Sequence, residues 1–176
     1  YALHRLVLGR MMVLDPRDVP LSRDRQGCPR VEGGDWTTSL SHADDAVAVA
    51  VGRGGPVGVD LEPASRAASM AGIAEEILHR SERIDDGLSR AGHGERLLQA
   101  WVRKEAYLKA SGVGLLHPMT AFALPEGASL RLATHPLLGQ RDGVVSTTLL
   151  PLLPGYVLAL SRAPDAVVQA MQVAPA

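Results

Sequence analysis

Aromatic side chains are nearly missing from this sequence: Phe, Tyr and Trp together make up 3% of it, against 46% for all hydrophobic residues. A core of ordinary size must therefore be assembled mainly from Leu, Val and Ala. Cysteine occurs once, as Cys28. A lone thiol excludes an internal disulfide, a Cys-x-x-Cys redox pair and a cysteine zinc cage, and cytoplasmic residence is the default expectation. An excess of charge is absent too. Eighteen basic side chains face nineteen acidic ones, for a formal net charge of -1. That balance excludes the domain-wide basic footprint of a general nucleic-acid binder but leaves room for a local anion pocket. No apolar run approaches the roughly 20 residues that cross a bilayer, because VAVAV at 47–51 is short and LLPLLPGYVLAL at 149–160 is broken by Pro and Gly. The opening YALHRLVLGRMM has no small-residue cleavage site behind its apolar part, so it reads as a helix packed on the protein. Lysine is scarce as well: Lys104 and Lys109 are the two lysines among the eighteen basic residues, and both stand in WVRKEAYLK, residues 101–109.

At 176 residues the chain suits one domain, or two small lobes sharing a core. Residues 2–12 repeat apolar groups at helical spacing, and Pro16 and Pro20 end that run. Between 21 and 36 lie loops and a short strand, with Gly27, Pro29, Gly33 and Gly34 as turn formers. TTSLSH alternates, and the small apolar run Ala46 to Val51 is a buried strand or a buried helix, two states that periodicity does not separate. PVGVDLEP is a strand bounded by prolines. The stretch SRAASMAGIAEEILHRSERIDDGL is helical in part, closed by GHG at 92–94. The longest helix starts near Glu95 and ends at SGVG, where Gly112 or Gly114 takes the left-handed cap. Strands are expected at 119–124, 129–133, 144–150 and 155–161. This order predicts an α+β fold with mostly antiparallel sheet, divided after Glu62 into residues 1–62 and 63–176.

On a wheel of the helix from Glu95 to Lys109, Leu97, Leu98, Trp101, Val102 and Leu108 gather within about 140°, the face that packs on the rest of the protein. Glu105 and Lys109 project inside that sector, while Arg96, Arg103, Lys104 and Tyr107 point elsewhere. An ionised carboxylate buried alone is costly, so Glu105 needs a cation, a metal or a wet cleft. The alternative is an ordinary surface i,i+4 pair between Glu105 and Lys109, worth a few tenths of a kcal/mol. In VGVDLE an extended backbone puts Gly58, Asp60 and Glu62 on one face and Val57, Val59 and Leu61 on the other. A lone D-x-E is more often solvated strand polarity than a metal site. With a third carboxylate from a helix, Asp60, Glu62 and Glu105 make a donor set suited to Mg2+, which takes a few carboxylates and keeps room for phosphate oxygens, and Lys109 lies one turn beyond. His42, at an element boundary in SLSH, is a phosphate contact or a structural histidine. Arg5, Arg10, Arg25 and Arg30 are candidate phosphate contacts or scattered surface charge. Glu82, after Ser81 in HRSERID, has helix-start chemistry. Trp101 reads as packing, and Cys28 as an inert thiol.

These segments resemble a known family. WVRKEAYLKASGVGL is similar to the WxxKEAxxKxxGxG segment of the 4'-phosphopantetheinyl transferases, VGVDLEP to their (V/I)G(V/I)D(L/I)E segment and SLSHADDAVAVAV to their SxSH segment, in the same order. The resemblance runs from about residue 20 to residue 124, more weakly through GYVLALS. It points to the monomeric Sfp-type branch, whose fold has two similar lobes, each a mostly antiparallel sheet packed with helices around a site between them. It implies transfer of phosphopantetheine from coenzyme A to a serine hydroxyl of an apo acyl or peptidyl carrier protein, dependent on Mg2+ and releasing 3',5'-ADP. It carries Mg2+ onto Asp60, Glu62 and Glu105, pyrophosphate contact onto Lys109 and coenzyme A phosphate contact onto His42. Glu105 becomes the base for the incoming serine, Lys109 a stabiliser of the leaving phosphate, and Glu82 an acidic group that orients water or serine. Lys104 meets coenzyme A from the cleft rim, meets an acidic carrier helix, or is solvated. Where many relatives have GKP this chain has GCP, so Cys28 stands in place of a phosphate-binding lysine, and Arg25 or Arg30 is expected to compensate. Met70, Ile73 and Leu115 are candidates for contact with the carrier. Two other classes stay open: a Mg2+-dependent pyrophosphate or phosphodiester hydrolase, although the GxxxxGK[ST] loop is absent, and a non-enzymatic carrier-binding protein.

Overall fold

A computed structural model describes residues 2–24, 27–83, 89–136, 138 and 142–172. Helix α1 (Ala2–Met12) opens the chain and is followed by two antiparallel pairs, β1 (Leu21–Arg23) with β2 (Pro29–Val31) and β3 (Trp36–Ala43) with β4 (Ala46–Arg53). Strand β5 (Val57–Pro63) comes next, then a 3-10 helix (Ala64–Ile73), the single turn α2 (Ala74–Ile77) and a 3-10 turn at Arg80–Glu82. The long helix α3 (Arg90–Ser111) leads to β6 (Ser129–Arg131), β7 (Val144–Leu149) and β8 (Tyr156–Arg162), which join β5 in an antiparallel sheet of order β5-β8-β7-β6. The α+β class with antiparallel sheets is as expected. A division after residue 62 would fall within β5, which is laddered along its length to β8 from Val57↔Arg162 to Pro63↔Tyr156.

Apolar periodicity explains the layers. The run from Ala46 is a strand, and Ala50 meets Val57, Val59, Leu61, Leu158 and Leu160 in one cluster, so one face of β5 packs towards β4. Leu8 of α1 packs with Val19 and Leu21 in a smaller cluster. The largest cluster surrounds α3. On the wheel this helix has one apolar sector, but Lys104 and Tyr107, outside that sector, are buried as deeply as Leu98 and Val102. α3 is enclosed by the sheet on one side and by the 3-10 helix, α2 and the chain around Met119 on the other.

Two expectations need correction. GHG at 92–94 lies inside α3 instead of closing an earlier helix: the Ser89 hydroxyl accepts from the Gly92 N–H and starts the helix. A side chain at Gly94 would stand 2.2 Å from the Ala67 carbonyl oxygen, so the glycine permits close packing there. The strand expected at 119–124 does not form. Met119–Ala121 is a 3-10 turn, because the carbonyls of Met119 and Phe122 are drawn to the Lys104 ammonium, 2.9 Å from each. The C-terminus of α3 follows expectation, with Gly112 in the left-handed region at φ 72.

Candidate active site

The site is positioned by the crossing of α3 over β5. At Gly58 the helix backbone comes so close that a Cβ would lie 2.0 Å from the Ala106 carbonyl oxygen and 2.5 Å from the Ala110 nitrogen. No other residue type permits that approach. Asp60 shares the Gly58 face of β5, so it lies beneath the same helix, and Lys109 reaches it with Nζ 2.6 Å from Oδ1. Strand β3 closes the site from a third direction. Its buried Ser39 accepts from the Val59 N–H and its buried Ser41 from the Leu61 N–H, so serine hydroxyls replace a backbone ladder between β3 and β5. Ser41 Oγ also donates to Asp60 Oδ1 at 2.8 Å and accepts from Lys109 at 3.1 Å, which uses its full hydrogen-bonding capacity.

Asp60, Glu62, Glu105, Lys109 and His42 line one pocket of about 470 Å3. Its electrostatics are unbalanced towards negative charge. Burial pushes the Asp60 carboxyl above its ordinary value, against the pull of Lys109 and the bond from Ser41. Glu105 is pushed up to about 7, first by burial and then by the Asp60 charge, with Glu62 adding and Lys109 and Arg66 opposing. Among the described residues, no donor is placed on the Glu105 carboxylate. Glu62 is paired with Arg66, whose guanidinium carbon also lies 5.0 Å from the centroid of the Trp101 ring. Asp60 Oδ2 and Trp101 Nε1 are buried with no hydrogen-bond partner among the described residues.

Several expected site residues lie elsewhere. Lys104 is fully buried away from the pocket, its ammonium surrounded by Glu82 Oε2 at 2.5 Å and the carbonyls of Ile77, Met119 and Phe122 at 2.8–2.9 Å. Glu82 is bound in the same knot, accepting from Leu124 N–H at 2.8 Å and His79 N–H at 2.9 Å. Burial opposes its charge, yet the Lys104 ammonium and these backbone donors hold the Glu82 carboxyl below its ordinary value. Both residues thus pin α3 to the chain on either side of it and are not pocket groups. Arg5 bonds the carbonyls of Pro16, Arg17, Val19 and Leu21, which fastens α1 to the turn behind it. Arg10 is exposed on α1 outside the pocket lining, and Arg30 is paired with Asp24 at 2.9 Å. Arg25 lies outside the described residues. The pocket wall instead carries Arg23, which donates to the Gly27 carbonyl at 2.6 Å, beside Cys28. Burial raises the Cys28 thiol, in keeping with an inert cysteine. Sequence reasoning missed Arg23, Ser41 and the pocket-facing position of Trp101. The alternation of SLSH held a signal for Ser41, which shares a strand face with Ser39.

Chemically, a converging set of carboxylates with one ammonium, rimmed by imidazole and guanidinium, suits a phosphate-bearing ligand accompanied by a hard cation. The donors are all oxygen and, among the described residues, one buried Asp60 oxygen has no partner and Glu105 carries no donor; on these grounds the residues fit Mg2+. Among the described residues they are not gathered into a preformed metal cage, since Lys109 and Arg66 hold Asp60 and Glu62.

Residues 56–161, which include both the β5 carboxylates and the α3 pair, match the family model described as the 4'-phosphopantetheinyl transferase superfamily. The chain belongs to that superfamily. It is 29% identical over 165 residues to the "Phosphopantetheinyl transferase" of Thraustochytrium sp. (strain ATCC 26185 / S-3), covering 79% of this chain and 57% of that protein. It is 28% identical over 129 residues to the "4'-phosphopantetheinyl transferase gsp" of Aneurinibacillus migulanus, covering 68% of this chain and 53% of that protein. The chain thus spans about half the length of the curated relatives it matches.

Proposed function

We propose that the protein transfers the 4'-phosphopantetheine group of coenzyme A to a serine hydroxyl of an apo acyl or peptidyl carrier protein and releases 3',5'-ADP. The observation that carries this reading is the convergence of Asp60, Glu62, Glu105 and Lys109 on one pocket, within the segment that matches the superfamily. In the reaction the serine oxygen attacks the phosphorus that bears pantetheine. A new O–P bond forms as the bridging P–O bond breaks, and the electron pair leaves on the phosphate of 3',5'-ADP. Glu105 accepts the serine proton, its carboxylate lying in the same pocket as Lys109. Lys109 offsets the charge that develops on the departing phosphate, from a position fixed by Asp60 and Ser41. His42 and Arg23 serve the phosphates at the rim. Asp60, Glu62 and Glu105 would hold Mg2+, which when bound supplies charge neutralisation to the pyrophosphate.

Carrier contact is narrowed by burial. Met70 is 1% exposed and Ile73 packs against the core, so neither presents the surface expected of it, whereas Leu115 beyond the end of α3 is 68% exposed. The deciding experiment incubates the protein with coenzyme A, Mg2+ and apo carriers from fatty-acid, polyketide and nonribosomal peptide synthesis. Intact mass spectrometry should find the phosphopantetheine adduct on a carrier serine. Release of adenine nucleotide without an adduct would favour hydrolysis instead, and binding without either product a non-enzymatic role.

A further inference from the structure

Three carboxylates line the pocket, yet two of them already have cationic partners supplied by the protein. Lys109 holds Asp60, as a lysine in a phosphate-handling site has reason to do. Arg66 has no such place. It sits one helical turn beyond Glu62 in the 3-10 helix, is absent from the pocket lining, and its side chain is about a third exposed while that of Glu62 is mostly covered, at 35% and 18%. It pairs with Glu62 while its guanidinium carbon lies over the Trp101 ring, 5.0 Å from the centroid. Trp101 and Glu62 both line the pocket, so the ring forms a shelf beside the carboxylate.

We propose that Arg66 is a built-in counter-ion for Glu62 that competes with the divalent cation, and that the Trp101 face is the shelf on which its guanidinium remains when Glu62 turns to the metal. This rests on the proposed metal-dependent function. The physical logic is one of exchange. Glu62 beside Asp60 and Glu105 would be a repelling cluster in the empty pocket, and Arg66 relieves that repulsion. A guanidinium held by an aromatic face need not return to bulk water when it lets go of the carboxylate, so the exchange costs less than stripping an isolated ion pair. Arg66 is therefore a positioning residue, acting through Glu62 on the affinity of the site.

The test measures Mn2+ binding in the absence of coenzyme A, by calorimetry and by water-proton relaxation, for the wild-type protein, Arg66→Met and Arg66→Gln, with Glu62→Gln as control. A partly exposed ion pair is worth a modest amount, so removing the competitor should tighten Mn2+ binding roughly three- to tenfold in both Arg66 variants. Glu62→Gln should weaken it. Equal or weaker binding in the Arg66 variants, with thermal unfolding unchanged, would overturn the proposal while leaving the metal site standing. If neither the wild type nor any variant binds Mn2+, the proposal and the metal-dependent reading fall together. Binding that is indifferent to Glu62→Gln removes Glu62 from the ligand set and the role of Arg66 with it.

Discussion

Glu105 carries opposite demands at the scale of one side chain. Burial and two neighbouring carboxylates raise it to about 7, so in the metal-free protein the folded state holds its proton more tightly than the unfolded chain does. Its contribution to stability is full below its ordinary value of 4.5 and is lost as pH rises to about 7. Glu105→Gln removes that penalty. We expect the variant, in EDTA at pH 8, to be more stable than wild type by an amount on the order of 1–3 kcal/mol, read as a raised unfolding temperature. It should at the same time lose transfer activity by roughly a hundredfold or more. Unchanged turnover with saturating Mg2+ would remove Glu105 from the chemistry. Arg23, which lines the same pocket, makes the complementary case: Arg23→Ala should raise KM for coenzyme A several-fold with little change in kcat, and an unaltered KM would take Arg23 out of phosphate binding.

At the scale of elements, the contact of α3 with β5 decides the site. A methyl group at Gly58 would overlap the backbone of α3, so Gly58→Ala must push the helix off the strand. Calorimetry should register a loss of about 2–4 kcal/mol, and the separation of Lys109 from Asp60 should depress activity at temperatures where the variant is still folded. The Lys104 and Glu82 pair tests the other side of the helix. Breaking one partner strands a buried charge, so Lys104→Met and Glu82→Gln should each cost about 2–4 kcal/mol, and the double variant less than their sum. A Lys104→Met protein of normal stability with a raised KM for coenzyme A would return that lysine to the cleft. The two faces of VGVDLE and the Glu105 to Lys109 side of α3 were legible in the sequence because strand and helix periods are local. Lys104 was not, because its burial depends on carbonyls from Ile77, Met119 and Phe122, which are distant in sequence and turn towards it only in the folded chain.

At the scale of the whole molecule, α1 is tied to β3 through a histidine that must stay neutral. The Thr38 hydroxyl donates to the Ala50 carbonyl, so His4 Nε2–H donates to Thr38 Oγ1 at 2.6 Å, and the buried Nδ1 has no partner among the described residues. Burial, with nearby positive charges including that of Arg23 adding, lowers His4 to about 4 from an ordinary 6.5. The unfolded chain therefore takes up a proton that the folded one refuses. Stability is full above pH 6.5 and falls as pH drops towards 4, by an amount on the order of 2–3 kcal/mol. His4→Gln should flatten the dependence of Tm on pH across that window, and a wild-type slope in the variant would assign the effect to other groups.

What the sequence determined by itself was the family, the α+β class, the alternation that puts Asp60 and Glu62 on one strand face, and the helical spacing that sets Glu105 beside Lys109. Those properties follow from periods of two and 3.6 residues and from short motifs, all expressed within one element. The tertiary structure alone decided that Lys104 and Glu82 would be a buried pin, that Arg23 and not Arg30 would line the pocket, and that Arg66, its guanidinium over Trp101, would pair with Glu62. Each of those outcomes turns on which backbone and side-chain groups from remote segments satisfy a charge taken out of water, and no local pattern in the chain records that.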